Sequence, residues 1–134
     1  MINAVLDTNV IVSGLLSAHG NPATIVNAFK ERHINLFYSV EIVSEYRDVL
    51  SRDKFGLNIE DINDLFDEIK KAGFPVIPCK SSISLTDEDD RIFYDTAKAV
   101  DAYLVTGNTK HFPNDPRIVT PADFVALIQS TNHL

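Results

Sequence analysis

The chain opens with a short apolar run, Ile2 to Leu6, that ends abruptly in a carboxylate, Asp7. Polar Thr8 and Asn9 follow, and apolar residues then resume at helical spacing from Val10 to Leu16. This pattern predicts a buried parallel strand that delivers Asp7 at its C-terminal end, just before a helix. Asn21-Pro22 predicts the start of a second helix, with Asn as cap and Pro at its first position, running to about Arg32. His33-Ile34-Asn35 reads as a break and Leu36 to Tyr38 as a second short strand. Ser39 predicts a helix cap. Behind it Ile42, Val43, Tyr46, Val49 and Leu50 fall on one stripe, with Glu45 at the stripe's edge. Ile59 to Ala72 predicts an amphipathic helix that Gly73 stops.

Further strands are predicted at Phe74 to Ile77, near an edge because of its prolines, at Tyr103 to Thr106, and at Arg117 to Val119. Between them Thr86 and Asp89 have the spacing of a capping box. The helix behind it, with Ile92, Phe93, Ala97 and Val100 inward, carries Asp90 in its first turn. Thr120-Pro121-Ala122-Asp123 predicts a second capping box, with a last helix to about Gln129. Strands alternating with helices imply an α/β fold, an open parallel sheet with helices on both faces. A length of 134 residues fits one domain spanning 1–134.

Composition narrows the chemistry. No apolar run approaches the ~18 residues a membrane span needs. Met1 leads straight into a strand with no basic stretch, so no leader is expected and the location is expected to be cytoplasmic. The single Cys79 excludes an internal disulfide, a zinc cluster and a redox pair, and is expected to be a small buried hydrophobe. A formal net charge of −7 argues against a protein that simply coats nucleic acid. It does not exclude an enzyme whose carboxylates hold cations that in turn hold phosphates.

Ligands in open α/β sheets bind outside the carboxyl ends of the strands. Asp7 ends the first strand, Asn108 follows the fourth, and Glu45 and Asp90 lie on the edges of inward helix faces. With strands one and four adjacent, these four groups converge. Three clustered carboxylates repel one another, and a divalent cation removes that cost. Oxygen donors without His or Cys select a hard ion, Mg²⁺ or Mn²⁺. The natural chemistry is phosphodiester hydrolysis. Arg47, Arg52, Lys54, Arg91 and Lys110 are the cations available to a phosphate backbone. Asp123 reads as a cap and the other histidines, His19, His33 and His133, as surface residues, with His111 open between packing, capping and RNA contact.

Four segments together resemble the PIN-domain family, in its bacterial toxin–antitoxin ribonuclease type: Val5-Leu6-Asp7-Thr8-Asn9-Val10, Ser39 to Glu45, Asp87 to Phe93 with Ala97, and Tyr103 to Asn108 with His111-Phe112. The resemblance covers nearly the whole chain. It implies a five-stranded parallel sheet in a three-layer α/β/α arrangement and a Mg²⁺- or Mn²⁺-dependent endoribonuclease. Asp7, Glu45 and Asp90 would be its metal-binding acids, and Thr8 and Thr106 would orient a ligand or water. It also implies a homodimer and an antitoxin partner. One position departs: the family often has a fourth Asp where this chain has Asn108, which removes a negative charge and bears on a second metal and on activity. Two other classes stay open from the residues alone. One is a non-catalytic PIN-fold binding module; the other is phosphoryl transfer on Asp7, for which position 9 lacks the further acid such folds use.

Overall fold

The computed structural model describes residues 1–132; His133, expected at the surface, lies outside them. Strands β1 (Ile2–Leu6), β2 (Ile34–Tyr38), β3 (Phe74–Pro75), β4 (Tyr103–Val105) and β5 (Ile118–Val119) form one sheet in the order β3-β2-β1-β4-β5. Every pairing is parallel. The helices are α1 (Thr8–Leu16), α2 (Asn21–Lys30), α3 (Val40–Leu50), α4 (Ile59–Ala72), α5 (Arg91–Ala99) and α6 (Pro121–Asn132). This is the expected α/β architecture with a five-stranded all-parallel sheet. No helix among the described residues is long and apolar enough to cross a membrane.

The central strand explains the order. In β1 Ala4, Val5 and Leu6 have no exposed surface, as expected of a strand covered on both faces. Leu36 of β2 and Leu104 and Val105 of β4 extend this core sideways. The chain leaves β1 toward β2 and β3, then returns to the other side for β4 and β5. The order therefore reverses between β1 and β4, and that reversal is where such sheets open a crevice.

Several local expectations need correction. β2 begins at Ile34, because Asn35 lies in register with Asn3 and donates to its side-chain oxygen at 3.0 Å. That amide pair lets a polar residue sit in a strand. α2 ends at Lys30, and Arg32 turns left-handed (φ 66°) behind it. Its cap residue is Gly20, with no side-chain bond, rather than Asn21. β3 is two residues long, since Pro75 has no N–H to extend a ladder. Cys79 is exposed, not buried, because it follows this edge strand in an irregular surface segment. Asp87, not Thr86, caps the turn before α5, accepting from the Asp89 N–H at 2.9 Å. That turn is a 3-10 turn, Glu88–Asp90, so α5 itself starts one residue after Asp90.

Candidate functional site

The register Leu6↔Val105 puts the next residues of β1 and β4, Asp7 and Thr106, side by side at the sheet's C-terminal edge. The Asp7 N–H donates to the Val105 carbonyl at 2.9 Å, so the pairing continues one residue past the strand. Asp7 also occupies the N-cap position of α1, yet its side chain makes no capping bond. Its Oδ2 instead accepts from the Thr106 hydroxyl at 2.7 Å. Thr106 Oγ1 itself accepts from the Asn108 N–H at 3.0 Å, which directs its own hydrogen toward Asp7. Asp7 is 6% exposed and Thr106 fully buried.

Glu45 comes from the middle of α3. Ser39 starts that helix by accepting from the Ile42 N–H at 3.3 Å, and Ile42, Tyr46 and Leu50 bury one stripe of it against the core. This sets Glu45 beside the stripe, half-buried, where the Thr8 hydroxyl donates to its Oε2. The neighbouring Tyr46 hydroxyl donates to the Leu6 carbonyl, tying α3 to the end of β1. Burial raises the Glu45 pKa, the Thr8 bond pulls it down, and the Asp7 charge pushes it up again. Tyr46 is held well above the usual phenol range by burial, with Asp7 and Glu45 adding to it.

Asp90 repeats what Asp7 does. It stands at the N-cap position of α5, and again the side chain caps nothing. Its Oδ2 is buried without a hydrogen bond. His111 Nδ1 lies 3.4 Å from it, an ion pair only when the imidazole carries its second proton. Burial is the main cause of a raised Asp90 pKa, with Asp7 and Asp87 adding charge and His111 offsetting part of it. His111 and Tyr46 thus touch the site although the pattern of residues assigned neither to it. The signal for His111 was its place in the fourth segment; Tyr46 read as one more apolar stripe residue.

The remaining candidates divide. Asn108 contributes its backbone N–H, while its side chain is exposed and makes no hydrogen bond among the described residues. Lys110 is exposed on the 3-10 turn Thr109–His111. Arg47 is exposed, and its guanidinium lies over the Phe66 ring at 4.1 Å. Arg91 is spent: its five N–H donors go to Glu88 twice, to the Ser81 carbonyl and hydroxyl, and to the Ile83 carbonyl. A phosphate would find no donor left there.

The acids whose charges act on one another here, Asp7, Glu45 and Asp90, offer oxygen ligands, and Asp90 Oδ2 is buried without a hydrogen bond. Both suit a hard cation. No group of three or more His, Cys, Asp or Glu among the described residues is gathered tightly enough to enclose an ion. Mg²⁺ does not require such a cage, because it keeps several waters and takes one or two carboxylates.

A family model described as "PIN domain" matches residues 3–110, which include Asp7, Thr8, Glu45, Tyr46, Asp90 and Thr106 but not His111. The chain belongs to the PIN-domain family. Its members are typically metal-dependent nucleases, and the five-stranded parallel sheet is consistent with that fold. No curated protein matches the chain.

Proposed function

We propose that this PIN-domain protein is a Mg²⁺- or Mn²⁺-dependent endoribonuclease, the toxin of a toxin–antitoxin pair. The observation that carries the reading is the behaviour of Asp7. A carboxylate at a helix N-cap ordinarily bonds the first turn's N–H groups. Asp7 leaves them and accepts from Thr106 instead, at the reversal point of the sheet, where its charge acts on Glu45 and Asp90. Burying like charges together costs stability and is retained where charge is to be bound.

In this reading Asp7, Glu45 and Asp90 would hold the ion, and Asn108 would offer at most a neutral carbonyl oxygen. The ion, when bound, supplies a polarised water and offsets charge on the phosphate. The chain's own residues orient the acids. Thr106 fixes one oxygen of Asp7 and leaves the other for the ion, and Thr8 does the same for Glu45. Arg52 pairs with Asp48 at 2.9 Å, and Lys54 rests 5.0 Å from the Phe55 ring centroid; Lys110, Arg47 and Lys54 are the cations left to meet a phosphate backbone. A homodimer, a cytoplasmic location and an antitoxin covering the site belong to the same proposal.

The test is cleavage of a labelled RNA in Mn²⁺. Cleavage that EDTA stops, and that Asp7→Asn lowers at least ~10³-fold, supports the reading. A second reading is favoured by the open arrangement of the acids and the neutral Asn108: a PIN-fold module that binds without cutting. Calorimetry separates the two, because a chain with no saturable Mn²⁺ binding cannot be the proposed nuclease.

A further inference from the structure

The 3-10 turn Thr109–His111 has two sides. One faces the acids: Asn108 before it donates to Thr106, and His111 Nδ1 stands 3.4 Å from Asp90. The other side forms the wall of a groove of about 350 Å³ at the sheet's outer edge, with Thr109 and Lys110 on its rim. Phe112 and Ile118 give the groove apolar surface, and Thr120 and Asp123 close it from the start of α6.

Asp123 is the informative residue. Thr120-Pro121-Ala122-Asp123 has the sequence of a reciprocal capping box. The structure forms only half of it: the Asp123 N–H donates to Thr120 Oγ1 at 3.2 Å. The carboxylate receives no hydrogen bond among the described residues and borders the groove. Asp115, the other acid there, is committed to Lys98 at 2.7 Å. Lys110 makes no ion pair among the described residues, so its charge is available at the rim.

We infer that this groove receives the nucleobase next to the scissile phosphate and prefers bases that carry an exocyclic amine to uracil. The inference rests on the nuclease reading and names its substrate specificity. Single-stranded RNA is read by packing a splayed base on apolar side chains and bonding its edge. An ionised carboxylate only accepts. It pairs well with an amino group and poorly with uracil, whose one edge donor is flanked by two carbonyl oxygens. A strand with its phosphate at the acids crosses the turn beside Lys110, and the adjoining base reaches the groove.

Cytidine and uridine 5′-monophosphates differ at this edge by an amino group against a carbonyl, so they are the probes. Titrated into the whole chain and followed by amide NMR, the cytidine nucleotide is expected to shift Thr109, Lys110, Ile118 and Thr120. It should saturate at about tenfold lower concentration than the uridine nucleotide. Asp123→Asn should erase that difference, its fold checked by the unchanged remainder of the spectrum. Equal affinities, shifts elsewhere, or a preference that survives Asp123→Asn overturn the inference. A second arm maps cuts in a randomised RNA with Mn²⁺, where uracil should be depleted about tenfold at one position beside the cut, and less so in Asp123→Asn. If the wild type cuts nothing while the nucleotide preference holds, the nuclease reading fails and the groove's base selectivity stands.

Discussion

Single atoms decide how the acids behave. Tyr46 buries a hydroxyl whose one partner is the Leu6 carbonyl, the residue before Asp7. Tyr46→Phe would leave that carbonyl without its donor and is expected to cost about 1–2 kcal/mol; urea unfolding indistinguishable from wild type would show the bond contributes nothing. Asp90 permits a sharper test. Its pKa, like that of Glu45, is raised by burial first and by the Asp7 charge next. A carboxyl with a folded pKa above its unfolded value near ~4 binds more protons in the folded state. Its stabilising contribution is present below the unfolded pKa and lost as pH rises through the folded one. Metal-free wild type therefore loses stability from these groups over an interval that begins at about pH 4 and ends above their raised folded pKa values. Asp90→Asn removes one of them, so the melting temperature of the variant relative to wild type should rise across that interval. A difference that stays flat with pH would refute the account.

Elements hold these atoms in place through close approaches. A Cβ at Gly14 of α1 would lie 2.6 Å from Val26 Cγ2 and 2.9 Å from the Pro22 carbonyl of α2. Gly14→Ala should thus destabilise by about 1–3 kcal/mol, overriding the better helix propensity of Ala, and thermal melting checks it. Arg91 performs the corresponding task at the start of α5, lashing the irregular segment at Ser81 and Ile83 beside the turn that bears Asp90. Lysine cannot reproduce a five-donor fork. Arg91→Lys should speed amide exchange at Ser81, whose N–H bonds the buried Asp95 carboxylate, by about tenfold or more. Arg91→Gln, which removes the charge, should leave the salt dependence of RNA binding unchanged, because Arg91 has no donor left for phosphate; a slope lowered by about one would assign it to the backbone contact instead. Much at this scale was legible: the apolar run broken by Asp7, the Ser39 cap, and Ile59–Ala72 ended by Gly73. What was not legible depended on non-local pairing or on a choice between equivalent caps. Nothing in Asn35 announces Asn3, and Thr86 and Asp87 offer equally good caps for adjacent starts.

At the scale of the molecule, the meeting of Asp7 with Thr106 hung on whether β1 neighbours β4. Strand order is a tertiary property, so the residues could state the condition without meeting it. With the order fixed, the Thr106–Asp7 bond follows, whereas the Thr8–Glu45 and His111–Asp90 contacts also need helix placement that no periodicity specifies. The Asp7 charge acts on both Glu45 and Asp90 in a chain already at −7, so in the proposed reading a bound cation would be a source of stability for the whole fold. An ion that binds the folded state alone stabilises it by RT ln(1 + [L]/Kd), about 2.7 kcal/mol at a hundredfold excess over Kd. Mn²⁺ should therefore raise the melting temperature progressively, by several degrees at such an excess. Screening alone also favours an acidic chain, so the comparison is made in NaCl of matched ionic strength. Asp7→Asn should reduce the Mn²⁺ response to the NaCl baseline while leaving the NaCl response intact. Equal responses to the two salts in the wild-type chain would mean that its acids gather at one edge without holding an ion there.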